Sequence, residues 1–257
     1  MVLYNPYSKV FEQSKCFYKY AELSLWISTI LLGVIFVLDK CNIILKDDVI
    51  LISSFNCFFV IYYAIISFIS DFIFYQASIQ RREDFIDNSF KTTLAEHRSD
   101  GYYSNDNINA GIYKMAVNGF ENSLFTYKIA SEMTLKLWIK TVLFVILFLI
   151  FAVYGCNNAF ILVVQLTLPI LLLQQAVKHT LFVYRIQRVF ENYRGLFNAL
   201  RNGSVSKQKI PEIIHIVLDY ETTLTYGAIM LDSKIYNTLN PELSSEWNQI
   251  KLTYNIQ

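Results

Sequence analysis

The chain has 257 residues, of which 54% are hydrophobic, with a mean hydropathy of +0.35 and a formal net charge of +1. That count includes 18 tyrosines, and with glycine counted in their place the share falls to the top of the about 45–50% usual for soluble domains, so the total excludes nothing and the distribution carries the argument. The near-neutral charge by itself says nothing about nucleic acid, and no DNA or RNA binding is expected.

The apolar residues are concentrated in four runs without Asp, Glu, Lys or Arg, arranged as two hairpins. Residues 1–21 read as a short amphipathic lead-in, with Phe11, Phe17, Tyr18 and Tyr20 suited to a membrane surface. The first run is Leu23 to Leu38 and the second Val49 to Ser70. The first lies too far into the chain, and lacks the flanks, to read as a cleaved signal peptide. The second helix is expected to pass Asp71 and continue to about Phe90, because Gln76 to Phe90 holds no Gly or Pro. Ser99 to Asn107 is rich in turn formers and reads as a loop. A further helix is expected from about Gly111 or Ile112 to Phe125.

The third and fourth runs, Thr141 to Tyr154 and Ala159 to Val177, share one uncharged stretch interrupted by Gly155-Cys156-Asn157-Asn158. At ~1.5 Å per helical residue that stretch is ~55 Å long, too long for one crossing of a ~30 Å hydrocarbon core. A tight turn between two crossings resolves this. Lys178 to Leu200 reads as a helix leaving the membrane, ended by Asn202-Gly203-Ser204. Pro211 fits the first turn of the next helix, expected to reach about Thr238. Asn240-Pro241-Glu242 then has the form of a capped start to a short final helix.

The expected fold class is therefore an all-α membrane protein: four transmembrane helices in two hairpins with a helical cytoplasmic domain. The expected organisation is a lead-in and first hairpin over 1–75, a cytoplasmic segment over 76–136, the second hairpin over 137–178 and a C-terminal cytoplasmic segment over 179–257. Lys and Arg cluster before the first run, between the hairpins and after the fourth run, while the second hairpin loop has no charge. The positive-inside rule then puts both termini and the middle segment in the cytoplasm. Cys41 and Cys156 fall in the two outward loops and can pair if that side is oxidising, although unrelated free thiols are the commoner case.

No motif for catalysis, metal or phosphate-cradling glycines is present, so no enzyme activity and no cofactor are expected. The polar residues in the runs carry more information. Gln165, Pro169, Gln174 and Gln175 on the fourth run are candidates for a polar face in a pore, with helix–helix packing as the plainer use of any one of them. Asp71 and Lys178, at the inner ends of the second and fourth runs, are candidates for an ion pair between hairpins, or each simply reaches the interface. In the cytoplasmic part, Arg81, Arg82, Arg98, Tyr102, Tyr103, Asn118 and Asn122 supply cations, amides and ring faces. Those groups together suit a phosphate-bearing, base-stacking ligand, and they equally suit a polar seam between helices, which on chemistry alone is the favoured use.

The stretches Arg81 to Phe90 and Ala116 to Thr126, with Leu231-Asp232-Ser233-Lys234 and Asn240 to Trp247, resemble the SMODS-associating four-transmembrane effector family. The similarity covers most of the chain. It implies a bacterial antiphage effector of the inner membrane, controlled by a cyclic nucleotide messenger and acting by pore formation or membrane disruption, with a homo-oligomer as its working form. Two other classes stay open: an oligomeric ion channel or transporter, and a membrane scaffold that binds a protein partner.

Overall fold

The computed structural model describes residues 7–41, 46–97, 99, 105–154, 159–200 and 205–256. Among these residues the chain is entirely helical: α1 (Ser8–Lys40), α2 (Lys46–Phe90), α3 (Ile112–Tyr154), α4 (Ala159–Leu200), α5 (Ile210–Gly227) and α6 (Ser233–Tyr254), with one 3-10 turn at Lys207–Lys209. The chain divides into two compact units. One comprises 12–73 and 136–177, and the other 1–11, 74–135 and 178–257. Helices α1, α2, α3 and α4 each contribute residues to both units without a break.

The unit of 12–73 and 136–177 has inverted polarity. On α2, Leu51, Phe55, Phe58, Ile65, Phe68 and Phe72 are exposed, whereas Ser53, Asn56 and Ser70 are buried. On α1 the exposed residues include Leu23, Ile30 and Val34, and the buried ones Ser24 and Ser28. Two helices, Asp48–Phe90 and Ile112–Ile150, contain a stretch apolar and uncharged enough to cross a membrane. Those stretches are only 17% and 11% buried, so they are not core helices of a soluble fold.

Paired contacts fix the helix directions in this unit. Ser14 Oγ donates to the Ser70 carbonyl at 2.8 Å, and Ile35 packs on Val49, so α1 and α2 are antiparallel. Lys140 Nζ meets Glu22 at 2.5 Å, and the rings of Trp26 and Phe144 lie 4.9 Å apart, so α3 runs parallel to α1. Gln175 bonds Tyr18 while Leu172 packs on Leu25, so α4 is antiparallel to α1. A four-helix up-down-up-down bundle results.

The other unit is built like a soluble domain around Phe120. Its ring stacks on Phe197 at 5.1 Å and on Tyr193 at 5.9 Å, and meets the edge of Trp247 at 5.5 Å. Phe85, Phe182, Ile186, Ile213 and Val217 complete one core drawn from α2 to α6. Two glycines permit its closest approaches. A Cβ on Gly119 would lie 2.8 Å from Tyr193 Cζ, with the hydroxyl nearer still, and one on Gly227 would meet the Phe182 ring. The connector from α2 to α3 is pinned by two buried carboxylates. Asp87 accepts from Thr92 Oγ1 at 2.6 Å and from the Leu94 and Ala95 amides, and Asp84 accepts from Ser99 Oγ at 2.6 Å.

Three sequence expectations are corrected. Helix α3 does not stop at Phe125 but runs on to Tyr154, because the change there is in side-chain polarity and no helix breaker interrupts the backbone. The helix carrying Pro211 ends at Gly227, well before Thr238, with Ala228 in the left-handed region at φ 47°. Its end coincides with the tight approach of Phe182, which admits no side chain at Gly227. Asn240-Pro241 is inside α6 and starts nothing. The true cap is Asp232, whose carboxylate accepts from the Lys234 amide at 2.7 Å.

Candidate functional site

Helices α3, α4 and α6 enclose a cleft of about 430 Å³, within the size range of small-ligand sites. Its wall carries three rings, Tyr127, Phe190 and Tyr254, and two cations, Lys128 and Arg194. The Tyr127 and Phe190 rings are stacked, with planes 19° apart and centroids 6.2 Å apart. The Arg194 guanidinium lies 5.9 Å from the Phe190 ring centre. Hydrogen bonds to Tyr254 and Glu191 raise the Arg194 pKa above its ordinary value, so it stays charged at any working pH. Each cation already has a carboxylate: Glu191 lies 3.0 Å from Arg194, and Glu246 lies 3.2 Å from Lys128. An anionic ligand therefore enters only by drawing a cation away from its carboxylate. The half-exposed pairs contribute little stability themselves, so that exchange is inexpensive.

The residues singled out from sequence are distributed differently. Arg81 lies 2.5 Å from Glu221 of α5, with Arg82 Nε at 3.7 Å from the same carboxylate, and Tyr220 faces Arg81 at 5.9 Å. This pairing fastens α2 to α5. Asn118 is fully buried; its Nδ2 donates to Asn88 Oδ1 at 2.9 Å and its Oδ1 accepts from Asn105 Nδ2 at 3.0 Å. Asn105 Nδ2 also reaches Glu121 at 2.7 Å. Such a network fixes the packing of α2, the connector and α3. Asn122 is half-buried on α3. Arg98, Tyr102 and Tyr103 lie outside the described residues, as does Cys156; Cys41 is an exposed free thiol.

On α4, Pro169 is buried, Gln174 is exposed and Gln175 is half-buried against Tyr18. Gln165 belongs to α4, and its side chain lies outside those described. These positions do not form one polar face. Asp71 is exposed in the unit of 12–73 and 136–177, and Lys178 is exposed at the first position of the last segment of the other unit.

Sequence reading misses Glu221 and the whole cleft. Lys128 and Arg194 lie on different helices, and each reads alone as a surface cation. No local spacing announces them. No group of His, Cys, Asp and Glu suited to a metal ion occurs among the described residues.

No family model, no curated protein and no solved structure matches the chain.

Proposed function

We propose that this protein is a membrane-embedded effector whose helical unit senses a small anionic ligand and whose inverted unit forms a pore or disrupts the bilayer. The observation that carries the reading is that α1, α2, α3 and α4 each contribute residues to both units. Two of them, α3 and α4, also carry the cations of the cleft. A ligand that separates Lys128 from Glu246 loosens a tie between α3 and α6, and one that takes Arg194 from Glu191 changes the charge carried on α4. It shifts the effector toward an open state only as far as it binds that state better.

Four crossings follow from α1 and α4 joining the two most apolar helices. Their outward residues include Leu23, Ile30 and Val34 on α1 and Ile170, Leu173 and Val177 on α4, side chains at home in lipid. With the positive-inside rule, the termini and the helical unit are cytoplasmic, in a bacterial inner membrane on the family resemblance. That resemblance also names the ligand class, a cyclic nucleotide messenger, and favours a homo-oligomer. The cleft suits that class in chemistry: ring faces for a base and two cations for phosphate. The residues proposed from sequence, Arg81, Arg82, Arg98, Tyr102, Tyr103, Asn118 and Asn122, are an alternative location for the same ligand.

The test is dye release from vesicles containing the purified full chain, with a panel of cyclic nucleotides added outside. Release that needs one nucleotide, together with binding weakened at least tenfold by Lys128→Ala and Arg194→Ala, supports the reading. Binding lost with Arg98→Ala but kept in both cleft variants moves the site to the connector. Steady ion flux without any ligand favours a constitutive channel. No release under any condition overturns the pore.

A further inference from the structure

We propose that Ser28, Ser53 and Asn56 line a water-filled path through the middle of the membrane unit, inside the bundle. The inference rests on reading residues 12–73 and 136–177 as the membrane unit.

Hydroxyls in apolar helices ordinarily satisfy themselves by bonding back to a carbonyl on the preceding turn. This unit does so repeatedly: Ser24 donates to Ala21 at 2.8 Å, Thr29 to Leu25 at 2.9 Å, Ser54 to Ile50 at 2.8 Å and Thr141 to Leu137 at 2.9 Å. Ser28 and Ser53 are exceptions. Both hydroxyls are buried without a protein partner, and so are both amide atoms of Asn56, whose side chain is 0% exposed. A primary amide left bare in hydrocarbon is costly, by several kcal/mol for each unmet group. A self-bonded hydroxyl avoids that cost, but Asn56 has no such route.

These groups share one depth. Ser28 lies seven residues before Ile35, and Asn56 seven residues after Val49, and Ile35 packs on Val49. At the other end, Ser28 and Asn56 each stand fourteen residues from the bonded pair Ser14 and Ser70. At ~1.5 Å per residue, the amide lies ~10 Å from one layer and ~21 Å from the other, well inside a ~30 Å hydrocarbon core. Ser53 lies about one helical turn earlier on α2, toward Val49, on the same buried side. Water supplies what this seam lacks, since it donates and accepts and needs two to four polar partners to be held. The bundle's outer surface at this depth is Phe55, Phe58 and Ile61, which offer water nothing.

The experiment uses the full chain in lipid vesicles, with Cys16, Cys41, Cys57 and Cys156 replaced by Ala and one cysteine returned at Ser28, Ser53 or Ile61. A charged, water-soluble methanethiosulfonate is the probe. Ser28→Cys and Ser53→Cys should label at least tenfold faster than Ile61→Cys. Adding Asn56→Leu should slow labelling at Ser28→Cys by a similar factor while leaving the protein monodisperse. If all three positions label equally fast, the unit is not in lipid and the membrane reading fails. If Ser28→Cys and Ser53→Cys label as slowly as Ile61→Cys, the unit is in lipid but its seam is dry, and the path is refuted whatever the vesicles release.

Discussion

Gly119→Ala tests whether the aromatic core of the helical unit is as tightly specified as its geometry implies. The new methyl would lie 2.8 Å from Tyr193 Cζ and closer to the hydroxyl, where ordinary carbon contacts begin near 3.4 Å. Tyr193 is 0% exposed and stacked on Phe120, so its ring has nowhere to retreat. Overpacking of this kind costs about 1–3 kcal/mol. Against it stands the better helix propensity of alanine, roughly 0.5–1 kcal/mol. The net expectation is a loss of about 1–2 kcal/mol. For a unit of this size that lowers Tm by about 2–8 °C. Trp247 touches Phe120 edge-on, so its fluorescence reports melting of this core. The double variant with Tyr193→Phe should recover part of the loss, because it removes the nearest atom and a hydroxyl buried without a partner. A Gly119→Ala protein as stable as the parent would refute the reasoning, since propensity would then outweigh a clash that the core had absorbed.

Other outcomes follow from the same unit. Glu221→Ala should destabilise the unit in denaturant titration, because it removes the carboxylate that Arg81, itself 14% exposed, meets at 2.5 Å; Arg81→Ala with Glu221→Ala should cost less than the two losses added. Burial lowers the pKa of His179, and its hydrogen bond to the Ala130 carbonyl only partly opposes this. The unfolded chain therefore takes up the proton first as pH falls. The stabilising contribution is complete above about pH 6.5 and is lost as pH drops toward the folded value, with a slope of at most about 1.4 kcal/mol per pH unit. His179→Gln should flatten that slope in melts run from pH 7.5 to 5. Glu246→Gln frees Lys128 from its carboxylate and should tighten nucleotide binding several-fold by calorimetry; unchanged affinity would place the ligand outside the cleft.

The limits of sequence reading have specific physical causes. The end of α2 at Phe90 is legible because nothing from Gln76 onward breaks a helix, and the stop comes where Lys91 turns to φ 58°. The end of α5 is not legible, because one glycine in an amphipathic pattern gives no warning that a ring from another helix occupies its side-chain space. Asn240-Pro241 imitates a helix start, yet Asp232, eight residues earlier, holds the cap and α6 carries the proline inside it. Polar residues on α2 are visible in sequence, but their use depends on direction. Ser53 and Asn56 point inward, while Ser54 points out and bonds its own helix. The cleft and Glu221 depend on residues that meet only after α3, α4, α5 and α6 have packed.

The two units differ in how easily they can change. The core around Phe120 has rings stacked closely on several sides, and hydrogen bonds link Asn88, Asn118, Asn105 and Glu121 beside it. Such packing moves as a block or not at all. In the unit of 12–73 and 136–177, the side chains of Ser28, Ser53 and Asn56 are buried without protein partners. Water in the proposed path satisfies those groups, and a seam already wet lowers the cost of parting α1 from α2 at that depth. Under the proposed function, a ligand bound to the Phe120 unit needs only a modest difference in affinity between two states of the chain. A bias of about 1.4 kcal/mol changes their ratio tenfold.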